Sequence, residues 1–141
     1  MWEAEAETIF FELSKLFQNT KDSEHFSFLR EFKNKNGETY LTVRVAGYKY
    51  GNTAQYDVEI THWYGLKIRG YVKRKELYIN TDIEPTPKKI ISYLNYILRD
   101  VELLKACTCI PSDVGKISEI HVIFDRVKTE KYREKTLIIP I

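Results

Sequence analysis

A chain of 141 residues, 43% hydrophobic and 30% charged, is too apolar to be disordered. It is long enough to bury about 68% of its unfolded surface as one domain, residues 1–141, and too short for two. With 22 basic and 20 acidic residues the net charge is +2, which excludes a general field drawing in nucleic acid or anionic lipid and confines any basic site to a local patch.

The first residues form a helical pattern. Trp2, Ala6, Ile9, Phe10, Leu13, Leu16 and Phe17 recur at three- and four-residue steps, with Glu3, Glu5, Glu12 and Lys15 on the other side. QNTKDS, 18–23, ends the helix. HFSFLREF fits either a helix or a strand, and Asn36-Gly37, a two-residue hairpin signal, decides for a strand. Arg30 then points inward beside Phe28 and Phe32. Either it snorkels out or pairs with an acidic residue of a neighbouring element, or this stretch is helical after all.

Further turns at Gly51-Asn52, Tyr64-Gly65-Leu66 and Lys75-Glu76 predict a five-stranded antiparallel meander from about Phe26 to Glu84. Its register sets Phe32 against Leu41, Leu41 against His62, Val43 against Ile60, His62 against Ile68 and Val72 against Ile79. One apolar face results. The other face becomes a ladder of opposite charges, Arg44 with Glu59, Asp57 with Lys73, Arg69 with Asp82 and Lys67 with Glu84, which accounts for most of the cations in WYGLKIRGYVKRK. One row escapes the ladder. Lys33, Tyr40, Trp63 and Lys67 line up across strands as an aromatic pair flanked by cations, a surface suited to stacking bases or anchoring a protein.

Thr86-Pro87 starts a second helix, whose stripe of Ile90, Ile91, Leu94, Ile97, Leu98, Val101 and Leu104 runs to about Ala106 and covers the apolar face. After the loop CTCIPSDVGK, EIHVIFDRV and KTLIIPI read as a C-terminal β-hairpin. Leu137, Ile138, Ile139 and Ile141 make its last strand apolar on both sides, which predicts burial on both sides, by a homodimer contact or at an internal position. The fold class is α+β: N-terminal helix, meander, covering helix, hairpin.

The chemistry-bearing residues are few. The glycines never approach a phosphate-loop spacing. Asp57 and Glu59 invite a nuclease reading, but the following strand has no acidic residue before its lysine, and alternation sends both carboxylates toward basic partners. Cys107 and Cys109 are two thiols where a zinc site wants about four ligands, and His25, His62 and His121 are scattered, so no metal and no cofactor are predicted. His62, on the apolar face, reads as a hydrogen-bonded core residue, and His121 as exposed.

The pattern therefore points to a small non-catalytic binding or adaptor protein that is homodimeric. The alternative is a single-stranded nucleic-acid binder using the Tyr40–Trp63 row, and an enzyme of unrecognised type is a third reading. No stretch approaches the ~20 apolar residues of a membrane span, and MWEAEAE is acidic where a signal peptide is basic. Cys107 and Cys109 stand too close together to join distant segments. A cytoplasmic setting without a membrane partner follows. Abundant Ile, Tyr, Lys and Glu with two glutamines resembles thermophile usage, and an AT-rich genome gives the same bias.

Overall fold

The computed structural model describes residues 1–51, 53–62, 65–73, 76–108, 117–125 and 135–140. Helix α1 spans Glu3–Asn19 and is followed by strands β1 (His25–Lys33), β2 (Thr39–Tyr50), β3 (Thr53–His62), β4 (Lys67–Lys73) and β5 (Glu76–Thr81). Helices α2 (Pro87–Arg99) and α3 (Val101–Cys107) come next, and β6 (Glu119–Phe124) and β7 (Lys135–Pro140) close the order. The fold is α+β, and no helix among the described residues is long and apolar enough to cross a membrane.

The expectation of a five-stranded meander and a C-terminal hairpin is corrected to a seven-stranded sheet: all seven strands form one sheet in the order β1 to β7. Strands β1 to β5 pair antiparallel in succession, β6 joins β5 in parallel, and β7 pairs antiparallel with β6. The reason is the crossover. A chain that leaves β5 through two helices returns to the same end of the sheet, so its next strand runs parallel and buries Ile120, Val122 and Phe124 beside Leu77 and Ile79. The hairpin thus widens the sheet.

One core joins Ile9, Leu13 and Phe17 of α1 to the inward residues of the strands and to Ile97, Leu103 and Leu104 of the later helices. Acidic Glu3 and Glu5 occupy the first turn of α1, where they complement the helix dipole. At its other end the Lys49 ammonium donates to the Phe17 and Thr20 carbonyls, 2.9 Å each. Thr86 caps α2 through its hydroxyl and Pro87 takes the first helical position, as the sequence predicts. The covering helix is not continuous, however. It breaks at Asp100, and Ile91 and Leu98 of the predicted stripe are exposed, while α3 is buried at Leu103, Leu104, Ala106 and Cys107.

Register follows the prediction from β1 to β3, with Phe32 opposite Leu41, Val43 opposite Ile60 and Arg44 opposite Glu59. Beyond β3 it slips by two residues. Ile60, not His62, faces Ile68, and Leu77, not Ile79, faces Val72. A slip of two preserves the faces, so the core residues are unchanged. The cause lies in the turns. Gly65 carries the positive φ of 84° directly before Leu66, whose carbonyl accepts from the His62 N–H, so the left-handed residue ends the loop rather than occupying its middle.

The charge ladder changes with the register. Glu59 holds Arg69 at 2.8 Å and Lys67 at 3.6 Å, and Glu84 pairs with Lys89 instead of Lys67. Arg30 is settled as well: β1 is a strand, and the guanidinium reaches Glu12 of α1 at 3.3 Å. At Gly47 a Cβ would overlap the Gln55 carbonyl and the Tyr56 side chain, so only glycine lets β2 and β3 approach this closely.

Candidate ligand pocket

The N-terminal side of α1, the start of β2, the end of β3 and the α2–α3 junction meet at one place, and each contributes a ring or a charge. Trp2, just ahead of α1, donates from its backbone N–H to Glu102 at 3.0 Å and from its indole Nε1 to Asp100 Oδ1 at 3.1 Å. The other Asp100 oxygen lies 2.6 Å from His62 Nε2. Asp100 is fully buried and His62 nearly so. A buried carboxylate demands such partners, and here an imidazole and an indole N–H supply them, with the Arg99 guanidinium 3.8 Å away. The break between α2 and α3 is what turns Asp100 inward.

Tyr40 completes the cluster for a local reason. Asn34 Oδ1 accepts from the N–H groups of Asn36 and Glu38, and Gly37 alone takes positive φ, so the first turn is a three-residue loop rather than the two-residue Asn-Gly type. Lys33 therefore pairs with Thr39, Phe32 still pairs with Leu41, and Tyr40 is the extra residue of a bulge. Its ring turns to the helix side, lies parallel to Trp2 at 6.3 Å and 8°, and its hydroxyl donates to Glu5 at 2.9 Å. Burial and this carboxylate push the Tyr40 ionisation above its usual range.

Around the pair opens a cavity of about 470 Å³ lined by Trp2, Tyr40, His62, Leu66, Tyr96 and Arg99, with Met1 at its edge. Aromatic walls, a buried polar floor and a cation at the rim are the composition of a small-molecule site. Arg99 lies over the Tyr96 ring at 5.0 Å, which fixes both at the mouth. Two depressions of about 510 and 540 Å³ also mark the outer face of the sheet, but they hold no buried charged group.

The predicted row of Lys33, Tyr40, Trp63 and Lys67 is not brought together among the described residues. Tyr40 faces α1, Lys67 faces Glu59 on the opposite side of the sheet, Lys33 is exposed opposite Thr39, and Trp63 lies outside the described residues. On β7, Leu137 and Ile139 are half-buried against the core, Ile138 is exposed, and Ile141 lies outside the described residues. Only one side of that strand is covered. Cys107 is a buried thiol, and Cys109 lies outside the described residues. His121, expected to be exposed, is half-buried beside Glu76 and Glu119.

Sequence reasoning located His62 on the apolar face but missed Asp100 and Trp2 as its partners. A lone aspartate inside the predicted stripe at 90–104 was the available signal. Comparison of the chain with protein-family models, with curated proteins and with solved structures gives no match.

Proposed function

We propose that the protein is a non-catalytic binding protein whose ligand is a small planar aromatic molecule with an acidic substituent, held in the pocket around Trp2, Tyr40 and Tyr96. The observation that carries this reading is the aromatic-walled cavity lined by Trp2, Tyr40 and Tyr96, with Arg99 at its mouth and His62, held from behind by the buried Asp100, in its wall. The rings offer stacking partners, and the guanidinium offers a bidentate donor to a carboxylate. Titration with benzoate and indole-3-carboxylate, followed by calorimetry, tests it. Saturable binding that Arg99→Ala and Tyr96→Ala each weaken supports the reading; binding indifferent to both variants, or none to any aromatic acid, overturns it.

The nucleic-acid alternative has an aromatic row of its own on the outer face, where Tyr71, Tyr78 and His121 stand side by side. Tyr71 and Tyr78 are parallel within 5° at 5.0 Å, and His121 stacks against Tyr78 from the neighbouring strand on the other side, so neighbouring rings occupy both Tyr78 faces. Bases need faces. The nearby cations Lys67 and Arg69 are also already paired with Glu59. The pocket is therefore the better supported site, and steeply salt-dependent binding of a labelled oligonucleotide is the result that would reverse this choice.

We further propose that two copies pair through β7, the edge strand that leaves Ile138 exposed, and that the protein works in the cytoplasm, where a buried thiol such as Cys107 stays reduced.

A further inference from the structure

The parallel pairing of β5 with β6 sets Glu76 directly opposite Glu119 and Tyr78 opposite His121, all on the outer face. Two carboxylates in register on neighbouring strands repel each other unless something between them compensates. Lys73, the partner of Glu76 on β4, makes no ion pair with it among the described residues. What stands between the carboxylates is an imidazole. His121 Nε2 lies 3.0 Å from Glu119 Oε2 and 4.0 Å from Glu76 Oε2, and one donor atom from each of the three residues falls within 4.8 Å of the other two.

The surroundings hold these donors in place. The imidazole stacks on Tyr78 at 4.7 Å, Tyr78 stacks on Tyr71, and the Tyr78 hydroxyl donates to Glu76 Oε2. A ligand carboxylate fixed by an outer hydrogen bond is a recurrent feature of metal sites.

We propose that Glu76, Glu119 and His121 form a binding site for one divalent transition-metal ion. One imidazole nitrogen with two carboxylate oxygens matches Zn²⁺, a borderline ion that binds such donors at about 2.0–2.2 Å, whereas Ca²⁺ takes about 6–8 oxygens. His121 is 14% accessible and the glutamates 37% and 42%, so the ion is gripped from the sheet side and keeps water on the other. Bound there, it ties β6 to β5 and so fastens the C-terminal hairpin to the meander.

The experiment is calorimetric titration of the chelator-treated full-length chain with Zn²⁺, with Co²⁺ as a spectroscopic probe. One ion per chain is expected, with weak visible Co²⁺ bands and no thiolate charge-transfer band. Tyr78→Phe should weaken Zn²⁺ binding by about 10- to 100-fold, and His121→Ala or Glu119→Gln by more than that. Should His121→Ala fail to fold by circular dichroism, Glu119→Gln, which keeps the shape, decides alone. Absence of binding, affinity unchanged in Glu119→Gln, or a thiolate band pointing to Cys107 or Cys109 would each overturn the assignment.

Discussion

Asp100 shows how much one side chain can organise. Its two oxygens hold the His62 imidazole and the Trp2 indole, so a single residue at the α2–α3 break joins the helical layer to the end of β3. Asp100→Ala leaves the buried His62 imidazole and the partly buried Trp2 indole N–H without this partner and should destabilise the protein by about 3 kcal/mol, measured by urea denaturation, with loss of pocket binding. A variant as stable as the parent would show that the pair is incidental. Tyr93 gives a second prediction. Burial raises its ionisation above the ordinary value of 10.0, a hydrogen bond with the Thr81 hydroxyl opposes this, and nearby Asp82 adds to it. The folded chain therefore holds this proton more tightly than the unfolded one. The resulting stability is fully present below about pH 10 and is lost as the pH rises through the higher folded value. Denaturation midpoints should fall as the pH rises above about 10, and Tyr93→Phe should flatten that fall.

At the scale of elements, the turns decide where side chains go. The Asn34 side chain converts an expected two-residue loop into a three-residue one, and the strand recovers its register by a bulge that turns Tyr40 from the outer face to the helix face. Gly47 is a comparable constraint. In most strands alanine is preferred to glycine by about 0.5–1 kcal/mol, but here an added Cβ meets the Tyr56 side chain and the Gln55 carbonyl. Gly47→Ala should instead destabilise by about 1–3 kcal/mol in thermal or urea unfolding. A neutral or stabilising effect would mean that β2 and β3 are further apart than described.

For the whole molecule, the seven-stranded sheet has its helices on one face, and among the described residues no helix covers the other. Its β7 edge carries Ile138 at 54% exposure with the core-facing Leu137 and Ile139 on either side. An unpaired edge with an exposed apolar residue is a template for a second copy. Light scattering at high concentration should therefore show a dimer, and Ile138→Lys should shift it to monomer without unfolding, since that side chain does not enter the core. A parent chain that stays monomeric would end the proposal.

Much of this architecture was legible from residue order. Hydrophobic period marked α1 and the strands, the Thr86-Pro87 cap marked α2, and alternation identified Leu41, Val43, Val58, Ile60 and Ile68 as core, because burial of an apolar face depends on local period alone. Even the turns misplaced by one position kept these faces, since the slips came in twos. The two sites were another matter. His62 with Asp100, Trp2 with Asp100, and Glu76 with Glu119 are brought together across long stretches of chain by a helix break and a parallel crossover. Neither leaves a local pattern in the sequence. Only the assembled sheet, with its helices laid across one face, decides which distant charges become neighbours.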